Sequence, residues 1–331
     1  MKKLLGLILS LSLLTGILAG CAGTPANSRA TLTAADKTDA GKKIWPRTMK
    51  DALGKQITLM KKPERIAILD FGFMESLFAL ETPPIASTLA EQSLKGFGTL
   101  QLYAANAKIE DLGKGKAPNL EKLAELAPDL IFHTAEAEHL DMKLYERASQ
   151  IAPVAMFDSP DWKKQLRDFA KYLGEEEKAE AYIADIETLI AESRSKLSGY
   201  SDKTVALLFE HSGNKGNFIV IGSAENPVWF NRENGLGLRP PNGYPPKGQA
   251  VSLEGIAALN PDYIFLFGSL GLEANGYKQR YLSEATQASS VWQSLTAVKH
   301  GHVYHLDAAV RAAGPLSIKL GIETIVKSMT K

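Results

Sequence analysis

One fourteen-residue pattern occurs twice in the chain, and it limits the possible folds more than any other feature. Residues 119–132 read NLEKLAELAPDLIF and residues 252–265 read SLEGIAALNPDYIF. The two align without a gap and share eight of fourteen residues, so both are expected to fold alike. In each, a capping residue (Asn119, Ser252) opens a short amphipathic helix. Pro128 or Pro261 ends it, because proline cannot donate into the helix ladder. An apolar run of strand length follows. Two copies of one helix–strand plan predict two similar lobes, and two lobes leave a cleft in which a ligand can be held.

The chain is long enough for that plan. It has 331 residues and 45% hydrophobic residues, which suits two domains with real cores. Its 38 Lys and Arg balance 37 Asp and Glu, which gives no electrostatic case for nucleic acid or an anionic membrane surface as partner.

Residues 1–20 read as a secretory signal peptide: Lys2 and Lys3, then an apolar stretch over residues 4–18. The sequence Leu18-Ala19-Gly20-Cys21 matches the bacterial lipobox, in which the cysteine is lipidated and becomes the first mature residue. Cys21 is the single cysteine, so no internal disulfide is expected. Residues 21–43 have no apolar period and read as a disordered tether between the lipid and a soluble body.

The body divides into a first lobe over residues 44–161, a bridging helix over 162–198 and a second lobe over 199–331. A hairpin around Gly54 is expected first. Strand, helix and strand signals then alternate through residues 63–88, which predicts α/β architecture with mostly parallel sheets. Apolar residues recur at three- and four-residue spacing from Leu166 to Leu197, with Gly174 as a possible break. The Gly- and Pro-rich loop 235–248 is expected to face the cleft.

The chain resembles the iron-siderophore substrate-binding lipoproteins of bacterial ABC importers. The matching residues are 63–72 (PERIAILDFG), both repeated units, 298–307 (VKHGHVYHLD) and the lipobox. This group has the class III periplasmic binding protein fold, two α/β lobes joined by one long helix, and also contains haem and vitamin B12 binders. The resemblance implies an extracytoplasmic, membrane-tethered monomer that delivers a ferric siderophore to a permease dimer with its ATPase, with no cofactor of its own. It gives Glu121 and Glu254, equivalent in the two units, the role of docking to permease arginines. A Glu in a helix's first turn also favours the dipole, by ~0.3–1 kcal/mol, but that alone predicts no matched pair.

For the ligand, the resemblance implies side chains on loops at the strand ends. Binders of anionic siderophores present arginines there, where this chain has Glu136, Asn226 and Ser269. Arg311, Arg232, Arg239 and Arg280 remain as candidate cations, and Trp229, Phe230, Tyr244 and Tyr281 as apolar walls. A cleft with few cations predicts a neutral or weakly charged ferric hydroxamate.

His300, His302 and His305 lie on a turn and strand whose alternation points the first two one way and the third the other, which argues against a shared metal. No direct metal site is expected; His133, His139 and His211 lie at expected strand ends, and one of them, or Tyr281, is the alternative for completing the coordination of iron held by an incomplete chelator. Rival classes are an enzyme and an adhesion lipoprotein. No Gly-x-Ser-x-Gly elbow, P-loop or His-Glu-x-x-His motif supports the first, and the second needs no paired lobes.

Overall fold

Each repeated unit becomes a short helix that leads into a fully buried strand. The helix Leu120–Glu125 precedes the strand Leu130–Thr134, and Leu253–Leu259 precedes Tyr263–Phe267. The computed structural model describes residues 45–136, 140–158, 161–211, 217–270 and 278–331. Signal peptide, Cys21, tether and His139 lie outside them. The Asn119 side chain accepts from Lys122 N at 2.9 Å, and Ser252 Oγ accepts from Gly255 N at 3.1 Å. A left-handed residue stands just before the proline region in each copy, Ala127 (φ 43°) and Asn260 (φ 37°). The Asp after each proline has a shared role. Asp129 accepts from the backbone of Glu64 and Arg65, and Asp262 from Thr204, so each ties its unit to the start of the neighbouring strand.

The chain opens with an antiparallel hairpin, β1 (Arg47–Lys50) and β2 (Gln56–Leu59), turned at Gly54 with φ 76°. The first sheet holds β3 (Ile66–Ile68), β4 (Ala86–Ser87), β5 (Glu110–Asp111), β6 (Leu130–Thr134) and β7 (Val154–Phe157). Its order is β5-β4-β3-β6-β7, all parallel. Both faces of the central strands are covered, so β3, β7 and the start of β6 read as continuous apolar runs, whereas the edge strand β5 is acidic and not buried. Alternate residues still separate. Ala67, Ile131 and Val154 face one core, while Ile68, Phe132 and Ala155 face the other. On the second face Phe132, Phe157 and Phe169 pack ring to ring at 4.4–4.9 Å between centroids.

The second sheet holds β8 (Val205–Glu210), β9 (Asn217–Val220), β10 (Gln249–Ser252) and β11 (Tyr263–Phe267). A short ladder, β12 (Ser269–Leu270) with β13 (Gln279–Arg280), precedes its last strand, β14 (Val303–Leu306). The order β10-β9-β8-β11-β14 places β11 where β6 sits in the first sheet. Here β9 and β10 run antiparallel, so the lobes match in their central strands and differ at one edge.

The stretch expected to bridge the lobes as one helix over 162–198 is two helices. Gly174, left-handed at φ 65°, ends Trp162–Leu173, whose Leu166, Phe169 and Leu173 belong to the core beside β6 and β7. The bridge is Glu176–Lys196. It buries Ala179, Ile183, Ile186 and Ile190 along one stripe, with acids at its start and cations at its end, as its dipole favours. At 1.5 Å per residue it spans about 30 Å.

The lobes are also fastened by the last helix, Pro315–Met329. It packs on the bridge and on the first-lobe helices Met74–Ala79 and Trp162–Leu173. Ile318, Ile322 and Ile325 join one apolar core that runs from Phe132 and Leu77 to Val205 and Phe265. Polar contacts cross the same seam. Gly98 N donates to Asp307 Oδ2 at 3.0 Å, Gln279 Nε2 to Gly96 O at 3.0 Å, and Ser317 N to Glu75 Oε2 at 2.9 Å. No helix among the described residues is long and apolar enough to cross a membrane.

Candidate functional site

A parallel sheet sends every strand's carboxyl end to one edge, and the loops leaving that edge can surround a ligand. Here they enclose about 1070 Å³. The walls come from Leu69–Phe73 after β3, Thr88 and Leu89 after β4, the loop Lys114–Lys116, and His133, Thr134 and Glu136 at the end of β6. Trp162 and Gln165 contribute from the helix behind, and Ala312, Ala313 and Gly314 close the cleft from the second lobe.

Local chemistry fixes these loops. Asp70 Oδ1 accepts from Gly72 N at 2.9 Å and turns the chain after β3. Asp141 Oδ1 accepts from Lys143 N and Leu144 N, capping the helix Met142–Ala148. Thr134 Oγ1 accepts from Glu136 N at 3.2 Å.

The cleft has a charged rim and an uncharged floor. Lys114, Lys116 and Lys143 line it with exposed ammonium-bearing side chains. Three carboxylates line it as well, Asp70, Glu136 and Asp141, of which Asp70 and Asp141 are committed to backbone amides. Below them Thr88 and His133 are buried. Burial pushes the His133 imidazole down to about 4, with nearby Asp141 opposing, so the ring is neutral at ordinary pH.

Of the residues singled out from sequence, Glu136 and His133 line this cleft. Arg311 stands just before its second-lobe wall, with its guanidinium 3.7 Å over the Phe209 ring. The others are elsewhere. Arg232 and Arg239 border a separate hollow with Arg194 and Tyr200, because the loop carrying them runs beside the start of β8, where Val205 N donates to Arg239 O. The rest of loop 235–248 also folds onto β8 rather than facing the cleft: Tyr244 bonds both backbone groups of Leu207. Trp229 is a core residue, 1% exposed, set against Gly321, and Phe230 is buried beside Tyr244. Asn226 caps the helix Pro227–Phe230, Ser269 Oγ donates to Arg280 O within the short ladder, and His211 follows β8.

Tyr281 stacks on His305 at 3.9 Å, while His302 stacks on Tyr263 at 4.4 Å, so these rings are engaged with one another rather than with a shared centre. No group of three His, Cys, Asp or Glu able to hold a metal ion occurs among the described residues. Glu121 and Glu254 are both exposed, each in the first turn of the helix that leads into β6 or β11.

The lysine rim is what sequence reasoning missed. Arginines after the strands were the pattern sought, whereas these cations precede the helix Leu120–Glu125 or open the helix Met142–Ala148. The run Gly113-Lys-Gly-Lys116 was the available signal: a glycine-rich basic stretch directly before the repeated unit. The cleft thus holds three lysines and no arginine among its lining, beside the three carboxylates.

The sequence profile of the periplasmic binding protein family matches residues 66–310. The chain belongs to that family. It is a family of binding proteins, and the relatives carry the names of binding proteins rather than of enzymes. The chain is 29% identical over 310 residues to the iron-uptake system-binding protein of Bacillus subtilis, covering 92% of this chain and 90% of the relative. It is 26% identical to the probable siderophore-binding lipoprotein YfiY of the same organism, over 94% of this chain and 92% of that one. Among solved structures, a FhuD-fold periplasmic binding protein component of a Fep/Fec-like ferrichrome ABC transporter from B. subtilis superposes with TM-score 0.68 at 25% identity, over 86% of this chain and all of that one. The triscatecholate siderophore-binding protein FeuA, complexed with ferri-bacillibactin, shares the fold at TM-score 0.66 and 23% identity, over 86% of this chain and 98% of that one.

Proposed function

We propose that this periplasmic binding protein is the extracytoplasmic receptor of a bacterial ABC importer, held to the membrane by lipid on Cys21. It captures a ferric siderophore in the cleft and delivers it to a permease dimer with its ATPase. Glu121 and Glu254, matched and exposed on the two lobes, guide the docking. The observation that carries the reading is the cleft itself, walled by strand-end loops of one lobe and by Ala312–Gly314 of the other. Similarity to an iron-uptake system-binding protein over nine-tenths of both chains supports iron as the cargo.

The lysine rim changes the ligand expected. The exposed ammonium groups of Lys114, Lys116 and Lys143 favour an anionic ferric complex, a catecholate or carboxylate, over a neutral hydroxamate, because Asp70 and Asp141 among the opposing carboxylates are tied to backbone amides and Glu136 offsets only part of the charge. The protein thus works by binding alone. The continuous core and the cross-seam hydrogen bonds keep the lobes near one orientation, so capture involves a small closure rather than a hinged swing.

Trp162 in the cleft wall makes the test direct. Intrinsic fluorescence is titrated with ferric catecholate, carboxylate and hydroxamate complexes, haem and cobalamin. Saturable quenching by anionic ferric complexes is expected. A response to haem or cobalamin alone replaces the ligand, and a response to none of them sinks the receptor reading.

A further inference from the structure

Two polar side chains in the floor of the cleft have no hydrogen-bond partner among the described residues. Thr88 Oγ1 and both ring nitrogens of His133 are buried without a hydrogen bond. The two residues are 0% and 3% exposed, and both border the cleft. Sheet register sets them on one rung. Ile68 pairs with Ser87 on one side and Phe132 on the other, so Thr88 and His133 follow one step on, either side of Leu69. Two strand spacings, about 10 Å, separate their backbones. Folded proteins answer nearly all their buried polar groups, and those the chain leaves unanswered mark a water, an ion or a ligand group.

The chemistry of this pair is narrow. Burial keeps His133 neutral. A neutral imidazole offers one donor and one acceptor, and a hydroxyl offers both. Neither brings charge, whereas the lysines at the rim do. A carboxylate set on this floor would lose its hydration without meeting a cation. A single hydroxyl would have to answer both residues from one oxygen, across strands whose backbones lie about 10 Å apart. A trans amide fits better, because its N–H and C=O leave opposite edges of one uncharged plane.

We infer that Thr88 and His133 form a neutral hydrogen-bonding floor that takes an amide group of the chelator's scaffold, while Lys114, Lys116 and Lys143 take its anionic, metal-bound end. The ligand class is an amide-bearing anionic iron(III) chelate, and an amide-free polycarboxylate chelate is disfavoured. This assignment rests on the reading that the cleft holds a ferric siderophore. A site built to hydrogen-bond a group discriminates strongly against a ligand that lacks it, because its own buried atoms then stay unpaired.

The experiment uses two synthetic probes, an amide-linked tris-catecholate iron(III) complex and the same complex with methylenes in place of the amides. Equilibrium titration of the wild-type protein is expected to show at least about tenfold tighter binding of the amide probe. Thr88→Val and His133→Leu are each expected to lose that preference, and His133→Asn, which keeps a donor and an acceptor, to retain most of it. Thr88→Val is close to isosteric and decides the matter if His133→Leu does not fold. Equal wild-type affinity for both probes overturns the inference, with the receptor reading intact. So does a preference unchanged in the variants, since water alone then answers the pair. Binding of neither probe, with no response to other ferric chelates, removes the receptor reading and the inference with it.

Discussion

Glu75 Oε2 accepts the backbone N–H of Ser317 at 2.9 Å, across 242 positions of sequence. A first-lobe carboxylate thereby caps the helix Pro315–Met329, whose own N-cap, Gly314, has no side chain to do so. The other oxygen accepts from Thr99 Oγ1 at 2.6 Å. The helix's positive end favours the anion, yet burial dominates and pushes the Glu75 carboxyl above its ordinary value of 4.5.

That shift has a sign that can be measured. The folded protein holds the Glu75 proton more tightly than the unfolded chain does. Its contribution to stability is complete below pH 4.5 and is lost as pH rises through the folded value. Glu75→Gln removes this dependence. Melting midpoints of the variant should fall less than the wild type's between pH 4.5 and 7.

His133 acts in the opposite direction. Its folded value of about 4 lies below the ordinary 6.5, so the stability it contributes is present above pH 6.5 and lost as pH falls to about 4. The loss is on the order of 3 kcal/mol. Denaturant titrations of His133→Leu and wild type at pH 7 and pH 4 should differ by about that amount in their pH response.

The lysine rim predicts a charge-selective defect. Lys114→Ala, Lys116→Ala and Lys143→Ala combined should weaken binding of an anionic ferric catecholate about tenfold, taking ~0.5 kcal/mol for each exposed charge. A neutral tris-hydroxamate complex should be affected little. Raising the salt concentration should narrow the difference, as read by fluorescence titration.

The docking pair separates capture from delivery. Glu121→Ala with Glu254→Ala is expected to leave chelate affinity unchanged and to abolish uptake of radioactive iron by cells that depend on this receptor. Wild-type uptake in the double variant would remove the docking role.

Close packing at the seam gives a stability test. A Cβ at Gly98 would lie 2.5 Å from Asp307 Oδ2, the atom that accepts the Gly98 N–H. Gly98→Ala should therefore cost about 1–3 kcal/mol, as overpacking does, in chemical denaturation.

The sequence made much of the architecture legible. The repeated unit identified Leu130–Thr134 and Tyr263–Phe267 as equivalent strands because capping residue, proline and apolar run are all local signals. Gly174 is a local signal too, and the break expected there is where Trp162–Leu173 ends and the separate bridging helix Glu176–Lys196 follows. The cleft was harder. Glu136 and His133 were found because they end a recognisable strand. Arg232, Arg239 and Trp229 were not separable by sequence from cleft residues, since the return of loop 235–248 onto β8 depends on contacts such as Tyr244 with Leu207. The Glu75–Ser317 bond, with its partners so far apart in the chain, leaves no local mark at either residue.

The placement of the helix Pro315–Met329 also sets the order in which the protein can assemble. Synthesis runs from the amino terminus, so β3 to β7 exist long before the helix that covers Leu77 and receives the Glu75 carboxylate. Until residues 315–329 arrive, the apolar flank that they cover in the folded protein has no partner from that helix. Closure of this long-range contact carries a large loop entropy and is expected late in folding. Each half thus contributes to the core of the other, and a cut through the bridging helix would part strands of one lobe from the helix that covers them.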